Sequence, residues 1–272
     1  MNARLKIFIA MASLAVLTAF PSSAWAMHIT EGILPAPWAA LWMAVAAPFV
    51  IWGILVIRRR QAADPRYTAL VALVGAAIFV ISCMPIPVPV VGSCSHPCGT
   101  GLGALLIGVG PTVVVATISL VFQAALLAHG GFTTLGANIV SMGVVGALAG
   151  LGAYRLLRAF RAPIVVAAFA AGLISDWATY ATTSFELASA LCRDGSLVAM
   201  FVTFAVAFSW TQIPLGILEG MVSALAYRFV LLRRPDLLAG IVCGTGPVPL
   251  SVLGAQGEKA AQGLCGIPGE NP

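Results

Sequence analysis

Charged residues are scarce in this sequence. Only 8% of its 272 residues are Asp, Glu, Lys or Arg, whereas 60% are apolar. A soluble domain carries about 25% charged residues, so there is too little polar surface to enclose a soluble core of this size. Apolar runs of roughly 18 residues or more recur, as in transmembrane helices, and the short alternating strands of a membrane β-barrel are not seen. The composition predicts an all-α polytopic membrane protein.

Lysine is almost missing, and the common catalytic signatures are missing altogether. Lys6 and Lys259 are the only lysines, against twelve arginines in short clusters between apolar blocks. Such clusters are typical of cytoplasmic topology markers rather than of a nucleic-acid-binding surface. The sequence has no GxxxxGK(S/T) and therefore no P-loop for ATP, and neither HExxH nor GxSxG occurs. The missing P-loop argues against a P-loop ATPase, and the placement of the arginines argues against a nucleic-acid partner.

Residues 1–26 have the organisation of a signal peptide. Two basic residues precede a fourteen-residue apolar run, 7–20, and Ala24-Trp25-Ala26 is an A-x-A cleavage site. Fourteen apolar residues are few for a membrane span, which favours cleavage after Ala26 over an uncleaved first helix. The mature chain is then expected to begin at Met27.

The apolar blocks after residue 27 predict about seven transmembrane helices. They cover residues 36–57, 67–84, 102–128, 136–157, 163–187 and 197–232. Arginine clusters follow the first, fourth and last blocks, and the positive-inside rule makes these ends cytoplasmic. The mature N-terminus is then outside and the C-terminus inside. This arrangement needs the third block either to cross twice, with a hinge at Gly110-Pro111, or to re-enter from one side; we favour two crossings.

Two segments are unsuited to membrane helices. Residues 85–101 contain prolines in alternation, which forbid a regular helix. Irregular backbone at membrane depth is tolerated only when it is buried in protein or lines a cavity, so this segment is expected to be an outer loop or to dip into the protein. Residues 27–236 form the predicted transmembrane domain, and the Gly- and Pro-rich residues 237–272 form a cytoplasmic tail that is expected to be disordered.

The three histidines, His28, His96 and His129, are the candidate metal ligands. After cleavage, the Met27 amine, the His28 amide nitrogen and the His28 imidazole can close fused chelate rings on one metal. An amine has an unperturbed pKa of about 7.7–8.0, so a metal can displace its proton near neutrality. A planar nitrogen-rich set favours Ni(II) or Cu(II) over Mg or Ca. His96, in the broken loop, is the candidate for the fourth nitrogen.

The residues around these histidines allow other interpretations. His129 precedes Gly130-Gly131 at a helix end, where capping of the last carbonyls is favoured over metal ligation. Cys94 and Cys98 flank His96 and fit either a local disulfide or thiolate ligands.

Three acidic residues also need an explanation. Asp176 and Glu219 lie inside predicted spans, where an arginine partner or a subunit interface would account for them. Glu31 is placed either to support the new N-terminus or His28 as an outer-shell partner or to cap the helix that opens near Pro35.

Four segments, taken in order, resemble the CbiM/NikM family. They read MHITEGILP (27–35), GSCSHPCGTGLGALLIG (92–108), FQAALLAHGGFTTLGANIVSMGVVG (122–146) and ISDWATYATTS (174–184). This family comprises the substrate-specific membrane subunits of energy-coupling-factor importers for cobalt and nickel. The resemblance covers about residues 27–236, nearly all of the mature chain.

The resemblance implies a seven-helix subunit whose N-terminus threads back into the protein. There the N-terminal amine, the backbone nitrogen and side chain of the second residue, and a further histidine bind Co(II) or Ni(II) in a roughly square-planar set. The matching residues are Met27, His28 and His96, the last by its SxSHPxG context. Cys98 departs from the threonine that the family pattern leads us to expect.

The function implied is capture of Co(II) or Ni(II) for an ATP-driven importer in the bacterial inner membrane. The chain itself would not be an enzyme, because the ATPase subunits, the coupling transmembrane subunit and a small two-span accessory subunit are expected to be separate chains. The alternative is a membrane sensor or metallochaperone that binds the same ion without transport. A zinc enzyme built on the three histidines is disfavoured, since no general-base motif stands beside them.

Overall fold

The computed structural model describes residues 29–83, 86–88, 93–127, 129–192 and 195–233. Seven helices occupy most of these ranges, and the all-α prediction is confirmed. They are α1 Ala36–Ala63, α2 Arg66–Ser82, α3 Thr100–Ile107, α4 Val109–Leu127, α5 Leu135–Ala159, α6 Ile164–Leu191 and α7 Leu197–Arg233. The signal peptide, Met27, His28 and the tail from residue 237 lie outside the described residues, so the interpretations made for them stay predictions.

Five of these helices, α1, α4, α5, α6 and α7, are long and apolar enough to cross a membrane. α2 is an apolar helix of 17 residues and α3 has eight. At about 1.5 Å per residue, α3 covers roughly 12 Å, far less than the roughly 30 Å of a hydrocarbon core. All eight residues of α3 are buried, so this short helix is an internal element of the bundle.

The third apolar block is split into α3 and α4, as predicted, but at Gly108. This residue has a φ of +87°, which glycine adopts without the steric cost that a Cβ would bring. The predicted hinge at Gly110-Pro111 is wrong because Pro111 lies in the first turn of α4, where a helix needs no donor from it.

The break lies at the end of the bundle that carries the α1–α2 connection. The carbonyl oxygen of Ile107 accepts hydrogen bonds from the Arg60 guanidinium at 3.2 Å and from the Tyr67 hydroxyl at 2.9 Å. Arg60 and Tyr67 stand on either side of the short connection between α1 and α2. The last carbonyl of α3 is therefore satisfied by side chains, and α3 and α4 turn at that level.

The proline-rich segment is not helical, as predicted. Ile86–Val88 (β1) pairs antiparallel with Ser93–Ser95 (β2), with Pro87 opposite Cys94. Residues 96–99 then run irregularly into α3 and are buried. Burial within protein is what allows irregular backbone inside a membrane bundle.

α6 and α7 approach closely at small residues. A Cβ on Gly172 of α6 would lie 2.7 Å from the carbonyl oxygen of Glu219, and one on Gly220 of α7 would lie 2.9 Å from the carbonyl oxygen of Phe169. Glycine thus lets the two backbones come together, as is common between membrane helices. The last apolar block is one 37-residue helix with Pro214 inside it, as predicted, and Glu219 is buried in this contact with α6.

Candidate metal site

His96 is fully buried, and its ring and backbone are both held in place. Its Nδ1 lies 2.7 Å from the carbonyl oxygen of Pro97. Because a carbonyl can only accept, the proton of this bond belongs to Nδ1, and Nε2 carries the lone pair. The Tyr180 hydroxyl of α6 accepts from the His96 N–H at 3.2 Å and donates to its carbonyl oxygen at 3.3 Å. A histidine with one nitrogen fixed by a carbonyl is arranged as metal-binding histidines are.

His129 lies beside His96, whereas the sequence favoured a helix-capping role for His129. The two ring centroids are 5.6 Å apart with an angle of 36° between the planes. The backbone N–H of His129 bonds the Gln123 carbonyl at 3.1 Å near the end of α4. The side chain, which was interpreted as a helix cap, is buried against the candidate ligand instead.

The chain enters the core at Ile29, the residue after His28. The Ile29 N–H donates to Asn138 Oδ1 at 3.0 Å, and its carbonyl oxygen accepts from Thr134 Oγ1 at 2.5 Å. Asn138 Nδ2 also donates to Thr134 Oγ1 at 3.4 Å, so the two side chains brace each other. We call this pair of contacts the Ile29 clamp.

One loop, residues 129–134, contacts both His96 and Ile29. His129 begins this loop against His96, and Thr134 ends it against Ile29. The Asn138 amide follows one turn later in α5, where a π-helical stretch, Ile139–Gly146, begins. Such stretches often occur at functional sites. The loop therefore links the incoming N-terminal segment to the His96 turn.

Glu31 fastens the same N-terminal segment to this loop. Its carboxylate oxygens accept from the Thr133 N–H at 3.4 and 3.2 Å. The helix-cap interpretation is wrong, because the N-cap of α1 is Pro35 and no side chain caps it. Support of His28 or of the new N-terminus, the other interpretation, concerns residues outside the described ranges and stays a prediction.

A buried acidic cluster lies directly behind the His96 turn. Glu219 Oε2 accepts from the Cys98 N–H at 2.6 Å, and Oε1 accepts from the Gly99 N–H at 2.8 Å. Cys98 Sγ is 3.9 Å from Asp176 Oδ1. Of the alternatives predicted for Glu219, an arginine partner is not what the described residues show, because backbone amides bind this side chain instead. Cys98 has a free thiol, so the local disulfide with Cys94 is not formed.

The three side chains of this cluster could also be read as ligands for an ion. One ligand atom from each of Cys98, Asp176 and Glu219 lies within 4.8 Å of the others. Both oxygens of Glu219, however, are already engaged by amides of the turn. The geometry favours support of the turn over a second ion site.

Glu186 is a further buried carboxyl group that sequence reasoning missed. It lies on α6 and is fully buried, and neither of its oxygens has a hydrogen-bond partner in the part of the chain that the structure describes. The signal that singled out Asp176 and Glu219, an acidic residue within an apolar span, would have found it as well.

The comparisons with known proteins identify the family. A family model described as the cobalt uptake substrate-specific transmembrane region, CbiM, matches residues 28–237. A cobalt transport protein CbiM from Sorangium cellulosum is 53% identical over 212 residues, which are 78% of this chain and 94% of that protein. A protein of the same name from Geobacter sulfurreducens is 51% identical over 235 residues, covering 86% of this chain and 67% of the relative.

The fold itself has been seen in a solved structure. A truncated transition metal transporter superposes with a TM-score of 0.67 over 75% of this chain and 98% of its own. At 24% identity this likeness concerns the fold.

Proposed function

The chain belongs to the CbiM family of cobalt uptake transmembrane proteins, and we propose that it captures Co(II) or Ni(II) from outside the cell as the substrate-binding subunit of an energy-coupling-factor importer. The observation that carries this proposal is the buried His96 turn, linked by one loop to the clamped entry of the N-terminal segment. The metal ion is the cargo of the protein.

In the proposed site, four nitrogens surround the ion. The Met27 amine, the His28 amide nitrogen and the His28 imidazole come from the mature N-terminus, and His96 Nε2 completes the set. Because Nδ1 of His96 is held by a carbonyl, Nε2 can bind the ion without tautomer exchange. Such a set suits Ni(II) and Co(II) and places nickel above cobalt in intrinsic affinity.

Transport by this subunit needs other chains. The sequence has no P-loop, so ATP hydrolysis belongs to separate ATPase subunits, joined by a coupling transmembrane subunit and a small two-span accessory subunit. We place the complex in the bacterial inner membrane, with the mature N-terminus on the outer side, where the metal arrives.

The test is a metal titration of the purified mature protein beginning at Met27. We expect His28→Ala, His96→Ala and a version with one glycine added before Met27 each to lose affinity for Ni(II) and Co(II). Each loss should exceed the roughly 10–100-fold cost of losing an outer-shell partner. Cys192→Ala is the matched control, since it removes a free, partly exposed thiol far along the chain from every proposed ligand.

Two outcomes would contradict the proposal in different ways. Normal binding by the glycine-extended protein would exclude the N-terminal chelate, and normal binding by His96→Ala would exclude the fourth ligand. Uptake of labelled cobalt or nickel is then measured with the partner subunits co-expressed. Tight binding with no ATP-dependent uptake would identify a sensor or metallochaperone instead.

A further inference from the structure

The peptide unit between Pro97 and Cys98 connects His96, the proposed metal ligand, to the buried carboxyl group of Glu219. Its carbonyl oxygen accepts from His96 Nδ1 at 2.7 Å. Its N–H donates to Glu219 Oε2 at 2.6 Å. No cis peptide occurs in the described residues, so the C=O and N–H of this unit are rigidly coplanar and point in opposite directions. A shift at one end of the peptide therefore moves the other.

From this geometry we propose that Glu219 is a positioning residue of the metal site, acting on His96 through the Pro97–Cys98 peptide. This inference rests on the proposed function, because it assumes that His96 binds the metal. The Glu219 carboxyl group orients the peptide, and the peptide carbonyl orients the imidazole ring. A carbonyl that accepts the distal N–H of a histidine also raises the basicity of the nitrogen that binds the metal.

The second hydrogen bond of Glu219 explains why the peptide cannot rotate away. Oε1 accepts from the Gly99 N–H at 2.8 Å, so one carboxyl group holds two successive amides. Gly99 has a φ of +71° and is the N-cap of α3. The turn is thus fixed at its far end to a buried helix and at its near end to the Tyr180 hydroxyl.

The position of Glu219 suits it to this role. It is 2% exposed and comes from the stretch of α7 that touches α6 at Gly172 and Gly220. Hydrogen bonds in such an interior strengthen one another along a chain. The hydrogen-bonded series of Glu219, the peptide unit and His96 therefore fixes the orientation of the His96 ring and polarises it.

The decisive variant is Glu219→Gln, which keeps the volume of the side chain. A glutamine has one acceptor oxygen, so it can serve one of the two amides and presents an NH₂ group to the other. We expect affinity for Ni(II) to fall by about 10–100-fold. We also expect the visible absorption band of the bound Ni(II) to shift, because the His96 ring is no longer held at the same angle.

The control is Tyr227→Phe on the same helix. Tyr227 is 3% exposed and shares a part-buried hydrogen bond of 3.2 Å with the Tyr154 hydroxyl, so its loss also removes a bond between α7 and another helix. We expect a lower thermal midpoint with unchanged Ni(II) affinity and spectrum. Glu219→Asp is a second variant that keeps two acceptor oxygens but withdraws them by one methylene, and its band should shift in the same direction as that of Glu219→Gln.

The outcomes separate this inference from the proposed function. Wild-type affinity and an unshifted band in a folded Glu219→Gln or Glu219→Asp protein would overturn the positioning role. A loss of affinity that follows the thermal midpoint, with an unshifted band, would show a merely structural residue and would overturn it as well. If His96→Ala binds Ni(II) like the wild type, the proposed function fails. If His96→Ala loses binding and either Glu219 variant keeps wild-type affinity and an unshifted band, this inference alone fails.

Discussion

Asn138 and Thr134 fix the backbone of Ile29 from opposite sides. One accepts from its N–H and the other donates to its carbonyl oxygen, so both backbone polar groups of Ile29 are held. A chelate that closes on the N-terminal amine binds metal more tightly when the neighbouring backbone is already ordered. Ordering that backbone only when the metal binds would cost conformational entropy. We therefore expect these two side chains to order the predicted ligands.

Replacing Asn138 by leucine should weaken metal binding. Leucine has the same number and branching of side-chain heavy atoms but leaves the buried Ile29 N–H without its acceptor, a cost of about 1–3 kcal/mol. If the whole cost falls on the metal-binding conformation, the dissociation constant for Ni(II) rises about 5-fold to more than 100-fold. A calorimetric titration measures it.

Ser141→Ala is the matched control for this prediction. Ser141 is buried one turn further along α5, and its hydroxyl bonds carbonyls of its own helix. Its loss should leave the titration unchanged. Equal affinities for Asn138→Leu and the wild type would show that the Ile29 clamp does not order the ligands.

Sequence reasoning reached some of these residues and not others, for a physical reason. His96 stands out because a histidine in a broken, proline-rich loop has few ordinary explanations. Glu219 was noticed as an acid inside a span, but its partners are amides 120 and 121 residues away along the chain. Asn138 gave no signal, because the N–H it serves is 109 residues distant. Hydrogen bonds to backbone groups far along the chain produce no recognisable pattern in the composition or in the spacing of residues.

Among the elements, the loop 129–134 depends on a glycine that lets the N-terminal segment lie against it. A Cβ at Gly131 would be 2.7 Å from the Cα of Glu31, closer than such atoms approach. One backbone must then move, and both belong to the candidate site. The absence of a side chain at this position is thus a requirement of the packing between two segments.

Gly131→Ala should displace the N-terminal segment and lower Ni(II) affinity by about tenfold or more, as loss of an outer-shell partner does. The control is Gly152→Ala in α5, where a Cβ would meet nothing within 4 Å and alanine is a better helix former than glycine. Unchanged Ni(II) titrations for both variants would mean that the segment can shift without cost to the site.

Element boundaries show the limit of sequence patterns at this scale. The apolar blocks located every helix longer than eight residues in the described part of the chain, because hydrophobicity dominates in a membrane. The hinge in the third block was misplaced by two residues, from Gly108 to Gly110-Pro111. Proline attracts attention as a helix breaker, yet in the first turn of a helix it is tolerated, whereas a glycine with a positive φ ends α3 without any proline.

The whole molecule has seven helices in its described part, and the arginine clusters predict how they lie in the membrane. The connection at Asp64 follows the cluster at the end of α1 and is predicted to be cytoplasmic, and Gly195, between α6 and α7, is predicted to be outside. Both positions are exposed, so a reagent on the correct side can reach them.

Topology can be tested with cysteines in a chain whose six native cysteines are replaced by serine. With a membrane-impermeant thiol reagent on intact cells, Gly195→Cys should be labelled and Asp64→Cys should not. After permeabilisation both should be labelled, which serves as the control for reactivity. Labelling of Asp64→Cys in intact cells would invert the predicted orientation and put the N-terminus on the cytoplasmic side.

On the proposed function, removal of the predicted leader would control when the protein can bind metal. While residues 1–26 are attached, the nitrogen of Met27 is an amide, which is a poor ligand, and cleavage would convert it into an amine. We therefore expect a precursor that keeps its leader not to withdraw cobalt or nickel from the cell's own enzymes, so that the processing enzyme would decide when scavenging begins.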